Sequence, residues 1–488
     1  MERGNALYDR ISDALSVLAT QGVDHADVRS VDTTEDRITT QDGAVEVSYS
    51  SRSRGYGIRV YADGGVGFAS SQDLSAIKET ALRALEAAQA TSRVRREPIV
   101  YSSETPRTEE YATPIQINPF QVPRSERLNL LLKAESAMLN EEPGLSMTRG
   151  DMVLRRIMQE YRALDGSNIK QEIYQVGAGI TATSFGRSEM HSRTFPASFR
   201  GNYATSGYEF IEEMALIENG PQVAREARLV SVADDCPSGV FDVVIDGPQM
   251  ALQVHESVGH PIEFDRILGH EISGAGGSFL SADSIGMRYG SNHMNVVADA
   301  TTPGGLGTYG FDDDGVRAQC VPIIEQGMLV GFITSRETSA VTQAHSTGCC
   351  RADGWSRMPI VRMSNINLLP GESTLEDLFG GIDSGLYLCG NRGWSIDDKR
   401  LNFQFVCELA YEIKNGSLTG RIYRNPIYTG ITPEFWRSCD GVGEQSTWNM
   451  YGTPGCGKAD PAQSAAVGHG VSPARFRKVK VGVADASP

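Results

Sequence analysis

The chain has 488 residues, 40% hydrophobic and 22% charged, a size and mix that buries a sizeable core and excludes wholesale disorder. It contains no 18-residue apolar run, so no spanning helix and no membrane association are expected. Lys+Arg 45 against Asp+Glu 61 leaves a net charge of -16, which repels phosphate backbones and argues against nucleic acid as a partner.

At ~150 residues per domain, the length predicts two large domains or three ordinary ones. The start, Met1 to Asn5, leads into an amphipathic pattern without an apolar signal core, so the expected location is cytoplasmic. The eight cysteines stand at irregular spacings and read as reduced thiols, of which one or more is a candidate metal ligand.

Leu7, Ile11, Leu15 and Leu18 recur at helical spacing. Strand-like runs follow at Ala26 to Val31, Ala44 to Tyr49 and Gly57 to Tyr61, with Gln41-Asp42-Gly43 as a hairpin signal. Leu74, Ile77, Ala81, Leu85 and Ala88 form a second helical stripe, and Asp73 stands at its N-cap. Residues 93–123 carry five prolines and read as a connection. A third helix contains Leu128, Leu131, Leu132, Glu135 and Met138, and alternating stretches such as Ile180 to Thr183 follow. A charged helical stretch from about 208 to 230 leads to Cys236-Pro237-Ser238-Gly239. The expected fold class is α+β, with an N-terminal α+β domain over 1–235 and a β-rich C-terminal domain over 236–488. In the latter, Gln326-Gly327 and Asn415-Gly416 each mark a hairpin.

The chemistry concentrates after the strand Phe241 to Ile245. Asp246-Gly247-Pro248 starts a helix, and Met250, Val254 and Val258 give it a buried face. On it lies His255-Glu256-Ser257-Val258-Gly259-His260, or H-E-x-x-x-H, one residue longer than the zinc-protease motif H-E-x-x-H. In a regular helix, residues i and i+4 differ by about 40° and can share an ion, whereas i and i+5 differ by about 140° and diverge. The helix must therefore bulge or end. Gly259 can adopt the left-handed terminating conformation and Pro261 disfavours helix at His260, so His260 is expected to turn back from beyond the last turn.

Two neutral imidazoles can hold Zn²⁺, with positions left for a third protein ligand and a water. Glu256 stands where the base of helical zinc proteases stands, able to take a proton from that water and deliver it to the leaving amine. Spacing leaves the third ligand open among His270, His293, His345, His469, Glu263, Asp265 and the cysteines. The adjacent Cys349 and Cys350 cannot easily share a tetrahedral ion. Cys456 lies in Pro454-Gly455-Cys456-Gly457-Lys458, where Lys458 would favour a thiolate. Arg357, Arg362, Asn365 and Asn367 are candidates to line a cleft. Asp312-Asp313-Asp314 reads as a solvated turn, with calcium binding as the alternative. Arg475, Arg477, Lys478 and Lys480 read as a strand with a charged face, and the four tryptophans as core or interface.

These residues resemble the TldD/PmbA metallopeptidases, the TldD-like catalytic branch in particular. The resemblance is carried in order by His255 to Asp265, Gly310 to Gly315, Met358 to Asn365, the Asn415-Gly416 hairpin, Gly455 to Lys458 and Gln463. It implies a zinc site of His255, His260 and Cys456, with Glu256 catalytic, on a β-rich domain behind an α+β domain. It further implies pairing with a homologous PmbA/TldE-like subunit that lacks the motif, or self-association as a dimer, and cleavage of unfolded or flexible peptides in the cytoplasm. Asn391 to Lys399 departs from the Gly-rich sequence common in that branch. Two other functions are open to this sequence. One is a zinc hydrolase acting on a non-peptide substrate; the other is a regulator without catalysis, of the gyrase-modulator kind. A β-rich site also favours capture of extended peptides by backbone pairing.

Overall fold

The computed structural model describes residues 2–186, 189–271, 276–342 and 344–484, with side chains from residue 10 onward. Two eight-stranded sheets dominate an α+β architecture. In the first sheet the strand order is Gly65–Ser71, Ala44–Ala62, His25–Gln41, Met147–Ala163, Asn168–Phe185 and Thr108–Ala112. Met190–Phe195 and Asn202–Ala204 also pair with Asn168–Phe185. The long hairpin His25–Gln41/Ala44–Ala62 turns at Asp42 and Gly43, with φ of 51° and 76°, as the Asp-Gly signal predicts. The strands run well beyond the apolar runs because their outer halves are polar.

Helix Ile77–Val94 lies on this sheet, with Asp73 capping the preceding 3-10 turn through Ser75 N. Its close approach depends on Gly67, where a Cβ would stand 2.0 Å from the Ala84 carbonyl oxygen. Ile11, Leu18, Val28, Ile58, Ala81 and Leu85 fill that interface. Helices Arg124–Glu141 and Leu216–Val232 cover another stretch of the sheet through Leu131, Met138, Leu154 and Val223. The proline-rich segment is more than a connection, because Thr108–Ala112 within it adds a parallel edge strand beside Asn168–Phe185.

The second sheet includes Ser384–Ile396, Gly239–Ile245, Ala474–Val483, Pro426–Ile431 and Asn402–Lys414 in that order. The last of these pairs back onto the first, so the five strands close a circuit. Most pairings are antiparallel; Gly239–Ile245 beside Ser384–Ile396 is parallel. Phe403, Phe405, Tyr428, Phe435, Trp436 and Phe476 fill the core around it. Both Asn-Gly and Gln-Gly hairpins form, with positive φ at Gln326, Gly327, Asn415 and Gly416. Arg475 and Arg477 lie on the last strand and both reach Asp440.

Asp312-Asp313-Asp314 is not a solvated turn. All three carboxylates are buried: Arg29 Nη1 lies 3.0 Å from Asp313 and Arg59 Nη1 2.7 Å from Asp314, while Asp312 accepts from the Asp314, Val316 and Cys350 N–H groups. Burial is tolerated because two of the carboxylates are paired with arginines and the third is held by backbone donors, with burial and Asp314 pushing its pKa well up.

Candidate metal centre and its cleft

Strand Gly239–Ile245 hands directly to helix Gly247–Val254, whose N-cap Asp246 accepts from Gln249 N at 2.9 Å, with Pro248 in the first turn. The next five residues, His255–Gly259, form a π-helical turn closed by the His260 N–H to His255 carbonyl bond at 3.1 Å. The extra residue of that turn gives i and i+5 the relation that i and i+4 have in a regular helix. The two imidazole centroids stand 4.8 Å apart.

This corrects the expectation that the helix ends at Gly259. His260 keeps right-handed helical backbone, φ -68° and ψ -41°, against the bias imposed by Pro261. Tertiary contacts outweigh that bias: His260 Nδ1 lies 3.0 Å from Glu263 Oε2, and its Nε2 lies 3.7 Å from Cys456 Sγ. Gly259 supplies room instead of a stop, since a Cβ there would fall 2.1 Å from Met363 Sδ. The bulge is supported from behind. Tyr289 Oη donates to the Ser257 carbonyl at 2.5 Å, Trp436 Nε1 to Ser257 Oγ at 2.9 Å, and Tyr428 Oη to Gln253 Oε1 at 2.9 Å.

Cys456 comes from the hairpin Asn449–Lys458/Gln463–Val471. A register shift between Thr453 and Cys456 marks a bulge at Pro454-Gly455, which re-aims the following side chain inward. Arg362 Nη2 donates to the Cys456 carbonyl and its Nη1 to the Gln463 carbonyl at 3.1 Å, tying both hairpin strands together. Among the described residues, His255, His260 and Cys456 form the one group of three or more such side chains with metal-binding geometry, and their donor atoms lie within 4.8 Å of one another.

The electrostatics fit cation binding. Burial holds both imidazoles below their usual pKa, hence neutral. Burial pushes the Cys456 thiol up, but His260 beside it, with Arg362, brings it below the usual thiol range. Glu263 is fully buried, which opposes its charge, yet Lys458, Arg266 and His260 hold it well below the usual carboxylate range. His255 Nδ1 lies 2.8 Å from His469 Nε2, so each imidazole of the group has its second ring nitrogen engaged, as metal-ligating histidines usually do.

The remaining candidates take other places. His469 and Glu263 stand behind the two imidazoles. Lys458 does not face the thiol: its Nζ binds both Asp265 oxygens, at 2.7 and 2.8 Å, and the Val361 carbonyl. His270, His293 and His345 are exposed. All eight cysteines are free thiols. Arg362, Asn365 and Asn367 do not line the cleft, because their side chains satisfy backbone and side-chain groups in the interior.

The cleft beside the three side chains has a volume of about 620 Å³ and includes Phe199, Glu256, Trp394, Ile396, Arg400 and Pro454 in its walls. Trp394 is thus a half-exposed wall residue, whereas Trp436 is fully buried core. Glu256 is buried and accepts from Arg400 Nη1 at 2.7 Å. No sequence spacing signals Arg400. Glu263 had one signal, its i,i+3 relation to His260 on a continuing helical turn.

Residues 238–482 match the PmbA/TldA metallopeptidase C-terminal domain, and residues 26–88 match domain 1 of the same metallopeptidases. A metalloprotease of Methanocaldococcus jannaschii is 31% identical over 399 residues, covering 81% of this chain and 84% of its own. Among solved structures, TldE from Thermococcus kodakarensis superposes with a TM-score of 0.76 at 14% identity, over 97% of this chain and 100% of that one. A Thermotoga maritima protein described as a modulator of DNA gyrase superposes with a TM-score of 0.77 at 18% identity, with the same coverage. The two structures establish the shared fold; the matched domains and the archaeal relative establish descent, and the chain belongs to the TldD/PmbA metallopeptidase family.

Proposed function

We propose that this chain is a zinc-dependent peptidase that hydrolyses unfolded or flexible polypeptides, with the metal held by His255, His260 and Cys456. The observation that carries this reading is the convergence of two buried imidazoles and one buried thiol, drawn from elements about 200 residues apart, within 4.8 Å. Zinc takes nitrogen at about 2.0–2.1 Å and thiolate sulfur at about 2.3 Å in tetrahedral sites, so the donors need to close in only modestly. When bound, the metal supplies Lewis acidity to the scissile carbonyl and the attacking water. Glu256 then acts as general base, taking the proton of that water and passing it to the leaving amine. Thiolate ligation makes the ion a milder Lewis acid than three imidazoles would, which favours slow hydrolysis.

Substrate enters as an extended strand. Gly239–Ile245 pairs with Ser384–Ile396 from Gly385 to Leu388, and among the described residues no strand continues that edge to Trp394 to Ile396, in the cleft wall, where backbone pairing is proposed. Folded segments cannot offer such a strand. The division of labour places catalysis in residues 236–488, with 1–235 as the α+β domain. The fold shared with TldE is consistent with assembly with a homologous PmbA/TldE-like subunit or with a second copy; the net charge of -16 argues against nucleic acid as a partner, and the proposed location is the cytoplasm. The intact Glu256 beside the three donors favours catalysis over a purely regulatory role.

The test is metal analysis of the wild type and His260→Ala, with hydrolysis of an unfolded peptide library measured on the same samples and on Glu256→Gln. Zinc in the wild type and not in His260→Ala, with cleavage lost in both His260→Ala and Glu256→Gln, is the expected pattern. Cleavage of only non-peptide amides, or none with zinc fully bound, would remove the peptidase reading.

A further inference from the structure

We propose that Arg400 is a positioning residue for the reaction, pinning the Glu256 carboxylate in the orientation a proton acceptor beside His255 needs. The inference rests on the peptidase reading above. The two residues are far apart in sequence and meet only through the fold, with Arg400 Nη1 2.7 Å from Glu256 Oε2 and both side chains buried in the cleft wall.

The backbone at Arg400 argues that the side chain is the reason for the residue. Its φ is 62°, the left-handed region that disfavours any residue with a Cβ. Glycine or asparagine would sit there with less strain, so the turn itself makes no demand for arginine. The turn is held rigidly. Arg400 N–H donates to the Asp397 carbonyl at 2.9 Å, the Asp397 carboxylate accepts from Leu401 N at 2.8 Å and Asn402 N at 3.1 Å, and Thr432 Oγ1 donates to the Arg400 carbonyl at 2.9 Å. The guanidinium therefore projects from a fixed base. The guanidinium contact at Oε2 restrains rotation of the carboxylate, and with it the direction in which Oε1 can accept a proton.

The experiment uses the full-length, zinc-loaded protein with Arg400→Ala, Arg400→Lys and Glu256→Gln. In Arg400→Ala, kcat on an unfolded peptide falls about 100-fold while KM stays within about twofold. Both Arg400 variants stay folded and retain zinc after dialysis, although Arg400→Ala lowers the unfolding midpoint by leaving the buried Glu256 carboxylate without its partner. Added guanidinium ion restores about tenfold to Arg400→Ala and nothing to Glu256→Gln. Arg400→Lys recovers part of the loss, since its ammonium lacks the planar fork. A rise in KM with kcat unchanged overturns the inference, because Arg400 then binds substrate directly. Loss of zinc or of the folded state in both variants, without rescue, also overturns it. Full kcat in Glu256→Gln sinks the peptidase reading itself, a result independent of how the Arg400 variants behave.

Discussion

His255 Nδ1 and His469 Nε2 stand 2.8 Å apart in the interior, and His469 Nδ1 lies 3.2 Å from the Ile366 carbonyl. A carbonyl can only accept, so His469 carries its proton on Nδ1, accepts on Nε2, and receives the Nδ1 proton of His255. The chain of bonds fixes both tautomers and leaves the lone pair of His255 on Nε2. Burial and the neighbouring His255 keep His469 well below the usual histidine pKa, hence neutral.

His469→Ala accordingly loosens the metal without removing a ligand. Zinc affinity is expected to fall about 10–100-fold, measured by competition with a chromophoric chelator, while circular dichroism stays unchanged.

Gly259→Ala tests the packing that permits the π turn. The added Cβ would meet Met363 Sδ at 2.1 Å in a fully buried site, an overpacking that costs about 1–3 kcal/mol. Urea unfolding should show that loss, and the double variant with Met363→Ala should recover the room though not the lost burial. Unaltered stability in Gly259→Ala would mean that the turn has slack.

Much of this was readable beforehand, and the failures have physical causes. Asp42-Gly43 and Asn415-Gly416 were legible because two-residue hairpins need positive φ and few residues supply it. The approach of His260 to His255 was legible as a requirement, but spacing alone cannot choose between a bulge and a stop. That choice is made by Tyr289, Trp436 and Met363, which are distant in sequence. Local charge reading failed for Asp313, Asp314 and Lys458, since each is neutralised by partners that only folding delivers, and for Asp312, which backbone donors hold in the interior. Arg400 was silent for the same reason.

Lys458 Nζ is bonded to both oxygens of Asp265 and also lies 3.5 Å from Glu263, all three side chains being buried. Removing one partner of such a cluster strands the other charges, so Lys458→Met should cost about 3–5 kcal/mol in urea unfolding. Adding Asp265→Leu should return part of it. Were Lys458 instead a thiolate promoter, the folded variant would show a raised Cys456 pKa in alkylation kinetics with little loss of stability.

Asp314 gives the joint between the sheets an acid-sensitive limb. Burial opposes its charge, but Arg59, the Arg336 N–H and the Arg336 guanidinium hold its pKa below the usual 3.8. A depressed folded-state pKa stabilises above the unfolded value and is lost as pH falls through the folded one. Wild-type stability should therefore drop as pH falls below about 3.8. Asp314→Asn should be less stable at pH 7 and should flatten that limb, as read from urea midpoints between about pH 2.5 and 5.

The most direct test of the central claim is zinc K-edge X-ray absorption on the purified protein and on Cys456→Ser. The account predicts one zinc per chain with one sulfur at about 2.3 Å and nitrogen neighbours at about 2.0–2.1 Å, the sulfur signal vanishing in the variant. A wild-type spectrum with only nitrogen and oxygen around the ion, unchanged by Cys456→Ser, would contradict it.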